Sequence, residues 1–282
     1  AIFLSDEVGV EVQSFIQSIK QQAQLAELGV PINPSLLVYG APGTGKSLLA
    51  AYIAASLNLP LVTARADSLI SSYLGSTAKN IRALLEYAQA EPCVLFLDEF
   101  DAIAKARDDK NEVGELKRVV VSLLQNIDNL GDTVVIAATN HPHLLDPAIW
   151  RRFHCKLELK APTEQVRGSI LSTLLNRLQI HPKDLKLLIA FSKQLTGAEI
   201  EMATYDYLRF MVINSVDFDV YALIKRFLGY RYRGISFDKD KRAENIVVLK
   251  ATDPDLFTYR MLAHLFGISS SYVGKIIKEN VQ

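Results

Sequence analysis

The chain has 282 residues with 31 Lys/Arg against 31 Asp/Glu, a formal net charge of zero; 49% of it is hydrophobic and 22% charged. That is ordinary globular composition, ample for a large core and about two domains, and the charge balance singles out no partner. With two cysteines, nothing in the sequence resembles a disulfide framework or a zinc site, and no apolar stretch approaches the ~18–20 residues of a membrane span.

In chain order, apolar periodicity predicts a helix over Val10–Leu28, a strand over Leu36–Tyr39, a helix over Lys46–Leu57 and a strand over Leu61–Ala64. A helix over Thr77–Gln89 and a strand over Cys93–Leu97 follow. The charged stretch Lys105–Glu112 reads as an exposed loop and Glu115–Asn129 as a helix. Val134–Thr139 and Cys155–Leu159 read as strands, with a short helix over Pro147–Arg151 between them. Strands alternating with helices on short connections imply a parallel α/β sheet. The run CVLFL lacks polar alternation, as a central strand covered on both faces should. Cys93 and Cys155 fall in such runs and read as core thiols in a reducing, cytoplasmic setting.

From Thr163 the strand signal stops. Thr163–Leu178, Pro182–Gln194 and Ala198–Ile213 read as helices, with Pro162 and Pro182 near starts and Gly197 as a separator. We therefore expect an α/β core over residues 1–160, a helical lid over 161–216 and a third block over 217–282. That last block holds 11 Lys/Arg and 8 Asp/Glu, so it stands at +3 and the remainder at −3. A basic tail hints at an anionic partner; a solvated surface explains the same imbalance. No signal peptide is visible. The chain starts at Ala1 without a Met, which fits a preceding segment.

The strand LLVYG runs into GAPGTGKS, followed by the helical LLAAYIAASL. Gly40, Gly45, Lys46 and Ser47 fill the phosphate-loop pattern, and the stretch Gly40, Ala41, Pro42, Gly43, Thr44, Gly45, Lys46, Ser47, Leu48 is the predicted nucleotide contact. Glycines let backbone N–H groups converge on phosphate oxygens, and the positive end of the following helix adds to that field. Lys46 would pair with the β- and γ-phosphates of ATP, and Ser47 would ligate Mg²⁺. CVLFL ends in Asp98 and Glu99, within DEFDAI. A carboxylate ending a buried strand is costly unless compensated, and a Mg²⁺ ion beside the phosphates would compensate it. Asp98 then holds the metal through water, and Glu99 activates the attacking water. The plain alternative for both acids is a helix N-cap.

With these two motifs stand SSYLGSTAKNIRAL, IAATNHPHLLDPAIWRRF and TGAEIE, in that order. Together they resemble the AAA ATPases over roughly residues 5–215. The resemblance implies several roles. Asn140 matches the residue that orients water against the γ-phosphate. Arg151 and Arg152 match the arginine-finger region, whose guanidinium reaches a neighbouring subunit's γ-phosphate. The family separates its two arginines by a short spacer; here they are adjacent, so which is the finger stays open. Gly197 and Ala198 match the second sensor beside the base and ribose, with no arginine there. Residues around Asp6–Val8 match a segment that packs on adenine. Tyr73, Leu74 and Gly75 match the central pore loop, in which an aromatic grips extended polypeptide. A homo-oligomer, a hexameric ring, is implied, since a finger acting in trans needs a neighbour.

FTYRMLAHLFGISSSYVGKIIKEN reads as helix-turn-helix, with Gly267 at the turn and Ser269–Lys278 as the second helix. It resembles the DNA-reading unit of many bacterial regulators. Ser270, Ser271, Tyr272 and Lys275 would face a groove, and Arg231, Arg233, Lys241 and Arg242 would contact phosphates. The same pattern serves as a protein-binding or lid helical pair. The leading expectation is an ATP-hydrolysing ring that remodels or threads a protein substrate, without a membrane. The alternative is an ATP-switched DNA-bound regulator or loader whose hydrolysis times assembly. A degenerate scaffold fits poorly with Lys46, Asp98, Glu99 and Asn140 all present.

Overall fold

The computed structural model describes residues 2–69, 74–102, 130–131, 133–232 and 234–280. The expected loop Lys105–Glu112, the expected helix Glu115–Asn129 and Tyr73 lie outside these residues. Elements are numbered over the described residues. The first unit, Ala1–Lys160, contains α1 (Asp6–Lys20), α2 (Gln22–Glu27), β1 (Ser35–Tyr39), α3 (Lys46–Leu57), β2 (Leu61–Arg65) and α4 (Ala66–Leu69). It continues with α5 (Leu74–Ala90), β3 (Val94–Asp98), β4 (Val134–Thr139), α6 (Pro147–Trp150) and β5 (Cys155–Glu158).

The five strands form one parallel sheet in the order β2-β3-β4-β1-β5. Alternate side chains explain the unbroken apolar runs. Leu36, Val38, Val94, Phe96, Ile136 and Ala138 join one core with Val12, Phe15 and Ile16 of α1 and Leu49 and Ile53 of α3. Leu37, Leu95, Leu97, Val135 and Ala137 point the other way, onto Ile81, Leu85 and Ala88 of α5 and onto Phe153. Both faces of the central strands are thus buried, so neither can carry polar alternation. Chain connections from β1 lead to the far edge at β2, whereas β4 leads past β1 to β5. The carboxyl end of β1 therefore sits where the winding reverses, the usual ligand crevice of such sheets.

The expected helix Val10–Leu28 is two helices, starting four residues earlier. Ser5 takes extended backbone as N-cap, and Asp6 and Glu7 occupy the positive first turn. Gln21 leaves helical geometry at φ −102°, ψ 16° and divides α1 from α2. Cys93 is buried and Cys155 half-buried, both unpaired, and burial pushes both thiols up from their ordinary pKa.

The second unit, Ala161–Gln282, is helical throughout its described residues: α7 (Glu164–Leu174), α8 (Pro182–Phe191), α9 (Gly197–Asn214), α10 (Val220–Arg231), α11 (Arg242–Thr252), α12 (Tyr259–Phe266) and α13 (Ser270–Asn280). One hydrophobic core runs from Leu171 to Ile276. The expected boundary at 216/217 falls inside it. Tyr207 Oη accepts from the Asp219 N–H, and the Arg226 guanidinium lies 5.0 Å from the Tyr207 ring and 4.9 Å from Phe210. Phe191 and Phe257 meet edge to face at 5.6 Å. Among the described residues no helix is long and apolar enough to cross a membrane.

Candidate nucleotide site

The loop leaving β1 has the backbone a phosphate cradle requires. Gly40, Gly43 and Gly45 take φ of 151°, 79° and 100°, where side chains are disfavoured. At Gly40 space forbids a side chain as well: a Cβ would lie 2.1 Å from the Leu159 carbonyl oxygen. Ala41, Pro42 and Gly43 are exposed, and Thr44 Oγ1 donates to the Ala41 carbonyl at 2.8 Å. Lys46, the first residue of α3, is 7% exposed, and its ammonium donates to the Gly40 and Ala41 carbonyls at 2.8 and 2.9 Å. Burial lowers its pKa, while the nearby Asp98 and Asp101 carboxylates push it back up. Ser47 and Leu48 are exposed on the first turn of α3.

The parallel register brings the acids to the same end of the sheet. Asp98 ends β3, and the Ser47 hydroxyl lies 3.5 Å from its Oδ2. Glu99 follows at φ 53°, and its N–H donates to Asp98 Oδ1 at 2.9 Å. Asn140 follows β4 directly and is half-buried. Lys46, Ser47, Asp98, Glu99 and Asn140, predicted from separate motifs, thus stand on adjoining strand ends. The donor set fits a triphosphate with one divalent ion: converging amides, one ammonium, one hydroxyl and one carboxylate. Among the described residues no cluster of three or more His, Cys, Asp or Glu could hold a metal by itself. An ion here would depend on phosphate oxygens, as Mg²⁺ does in nucleotide sites.

Two contacts were missed by motif reading. Arg65, the last residue of β2, pairs with Glu99 through Nη2 and Oε2 at 3.1 Å. Thr139 donates to Asp101 Oδ1 at 3.0 Å. The signal for the first is the strand register, which sets Arg65 opposite Asp98. That register is not written in either strand alone.

Arg151 and Arg152 stand elsewhere. They follow α6 and line, with Asn33 and Ala148, an open surface hollow of about 440 Å³. The Ser35 hydroxyl donates to the Arg152 carbonyl at 3.3 Å and accepts from the His154 N–H at 3.0 Å. Ser35 begins β1, whereas the phosphate loop leaves its other end.

Leu74 and Gly75 open α5. Gly197 and Ala198 open α9 in the second unit, where TGAE forms a capping box: Thr196 Oγ1 accepts from the Glu199 N–H, and the Thr196 N–H donates to Glu199 Oε2 at 2.7 Å. Gly267, at φ 63°, caps α12. Leu262, Ala263, Leu265, Phe266, Val273 and Ile276 are buried, leaving Ser270, Ser271, Tyr272 and Lys275 exposed on α13. Lys275 Nζ lies 3.7 Å from Glu279, which partly offsets its charge. Lys241 is exposed, but Arg231 and Arg242 are half-buried, with Nε buried in each and without a hydrogen-bond partner. Arg233 lies outside the described residues.

A glycine-turned loop between a parallel strand and a helix, with an acid-tipped neighbouring strand, defines a P-loop nucleotide-binding core. A model of the family described as "ATPase family associated with various cellular activities (AAA)" matches residues 36–161. The chain is similar to an uncharacterized AAA family ATPase of Sinorhizobium fredii, 46% identical over 157 residues, covering 55% of this chain and 48% of that one. It is similar to the proteasome-activating nucleotidase of Methanococcus vannielii, 34% identical over 191 residues, or 65% of this chain and 47% of the relative. The 26S proteasome regulatory subunit 10B homolog A of Arabidopsis thaliana is 32% identical over 206 residues, 68% of this chain and 52% of the relative. The chain spans about half the length of the curated relatives it matches. Residues 36–161 form a P-loop ATPase domain of the AAA family.

Proposed function

We propose that the chain binds ATP with Mg²⁺, hydrolyses it, and works in the cytoplasm as a homo-oligomeric, hexameric ring that remodels or threads a protein substrate. The observation that carries this reading is the split between the two ends of the sheet. Lys46, Ser47, Asp98, Glu99 and Asn140 gather at the carboxyl end, and Arg151 and Arg152 at the amino end. Four steps along β1 at ~3.3 Å each separate these ends by about 13 Å. An arginine there serves a neighbour's γ-phosphate more readily than its own, which is the logic of a ring.

Mg²⁺, when bound, neutralises phosphate charge and orients the γ-phosphoryl group; Ser47 and Asp98 are the residues that would hold it. Lys46 exchanges its two loop carbonyls for phosphate oxygens. Glu99, released from Arg65, takes a proton from the attacking water, and Asn140 aligns that water. The partner's Arg151 or Arg152 offsets charge developing in the transition state.

A protein substrate is supported by two relatives whose names place them with the proteasome. Tyr73, Leu74 and Gly75 would then grip the extended chain. Turnover measured against protein concentration, with and without unfolded protein, tests this: the rate per protomer rises with concentration and with unfolded protein. A rate flat in both rejects it.

A second reading is favoured by one observation, the helix pair α12–Gly267–α13 with Ser270, Ser271, Tyr272 and Lys275 exposed. In it α13 reads duplex DNA and ATP switches assembly. Stimulation by duplex DNA, with affinity falling as salt rises, would select it.

A further inference from the structure

Thr139, the last residue of β4, lies where three segments of the nucleotide site meet, and it is 1% exposed. Its carbonyl accepts from the Gly40 N–H, at the start of the phosphate loop, at 3.3 Å. Its hydroxyl donates to Asp101 Oδ1 at 3.0 Å, two residues beyond Glu99. The same hydroxyl oxygen accepts from the His141 N–H at 2.9 Å. That last bond closes a side-chain turn around Asn140, fixing the backbone on both sides of it.

Asp101 is itself 6% exposed. A carboxylate so buried is expensive unless hydrogen-bonded, and packing alone would be served by an apolar residue. Its neighbour Phe100 donates its N–H to the Ala138 carbonyl at 2.8 Å, so the acidic loop and the end of β4 are joined twice within two residues. The Asp101 charge also acts on Lys46 across the site. One hydroxyl therefore ties the turn carrying Asn140 to the loop carrying Asp98 and Glu99, and one carbonyl ties both to the phosphate loop.

We infer that Thr139 and Asp101 are positioning residues for hydrolysis: their hydrogen bond sets Asn140 in register with Glu99, so that both face the same water. The inference rests on the ATPase reading above. It concerns the rate of the chemical step, because the cradle that binds phosphate is built by the glycines and Lys46 and not by this bond. Misplacing a catalytic group by about 1 Å costs on the order of 100-fold.

The test uses the full chain, with kcat and KM for MgATP, Kd for a fluorescent ADP analogue, and urea unfolding. Thr139→Val keeps the shape and removes donor and acceptor. It is expected to lower kcat by ~10–100-fold, with ADP affinity within about threefold of the parent. Thr139→Ser, which keeps the hydroxyl, is expected to restore kcat to within about threefold. In an Asp101→Leu background, which removes the acceptor, Thr139→Val should cost less in kcat than it does in the parent, since the two losses share the Thr139–Asp101 bond. Full kcat in Thr139→Val overturns the inference. So does a Ser variant as slow as Val, which would point to the methyl group, or an equal loss of kcat and ADP affinity, which would point to a collapsed cradle. Should Thr139→Val not fold, Asp101→Leu, which leaves the hydroxyl no acceptor there, decides: a tenfold or greater fall in kcat at unchanged ADP affinity supports the inference, and full rate overturns it. A parent chain that turns over no ATP at any concentration removes the ATPase reading itself, whereas an active parent with full-rate variants removes only this inference.

Discussion

The carboxyl and amino ends of the parallel sheet differ in what they can do alone. At the carboxyl end, a loop, two acids and an amide converge on one crevice, and each is fixed by backbone or by a hydrogen bond within the protomer. At the amino end, Arg151 is exposed, and both arginines line an open hollow that no phosphate loop of the same protomer borders. The first arrangement is a binding site. The second, in the proposed ring, would complete the site of a neighbouring protomer. The difference teaches that one sheet can set two groups of functional side chains at opposite ends, where one protomer cannot readily use both together.

Removing the arginines breaks that comparison with the largest effect. An arginine finger is worth about 10³-fold or more in turnover. We expect Arg151→Ala or Arg152→Ala to lose that much, and the other to change turnover by less than threefold. If the pocket and the finger belong to different protomers, as proposed, mixing the inactive arginine variant with Lys46→Ala protomers should regain turnover. Each inactive chain then supplies what the other lacks. Mixtures as inactive as their components would place the arginine and the phosphate loop in the same active centre.

Glu99→Gln acts on the carboxyl end alone. If Glu99 is the base, as proposed, the change removes it and keeps the side-chain volume, so turnover should fall by ~10²–10⁴ while ATP stays bound and the assembly persists in gel filtration. A Gln variant turning over normally would show that another group activates the water. Lys46→Ala should weaken nucleotide binding by ~100-fold or more, since a buried charge partner is worth ~2–5 kcal/mol; calorimetry in magnesium buffer reads it directly.

Legibility in the sequence follows the range of the interaction. GAPGTGKS could be read because the phosphate cradle is local: its φ values and its ammonium come from eight consecutive residues. The central strands β1, β3 and β4 were legible for a related reason, since burial on both faces leaves an unbroken apolar run such as CVLFL. The Arg65–Glu99 pair and the Thr139–Asp101 bond were not legible. Each joins residues 34 or 38 positions apart, and only the order β2-β3-β4-β1 makes them neighbours. The second unit shows the same limit in its core. Amphipathic helices announce that they pack, but not upon what, so the continuity of α7–α9 with α10–α13 across residue 216 had no local sign. Likewise TGAE has a sufficient local cause in its capping box, whatever else Gly197 and Ala198 do.

The smallest effect sharpens the comparison, because it asks how firmly the carboxyl end is set before nucleotide arrives. Arg65 and Glu99 are 58% and 41% exposed in their side chains, so their pair is a surface ion pair, worth ~0.5 kcal/mol and screened by salt. In the proposed mechanism the guanidinium on Oε2 lowers the basicity of Glu99 and holds its side chain toward Arg65, so parting the pair favours proton transfer from the water. Arg65→Ala should therefore raise turnover by about two- to threefold at low salt, the factor that ~0.5 kcal/mol represents. The advantage should shrink as salt rises, because screening loosens the pair in the parent as well. Turnover of both chains at low and high ionic strength measures it. A fall in turnover in Arg65→Ala, independent of salt, would mean that the guanidinium aims Glu99 rather than restraining it, and that the carboxyl end is preset more rigidly than an exposed pair implies.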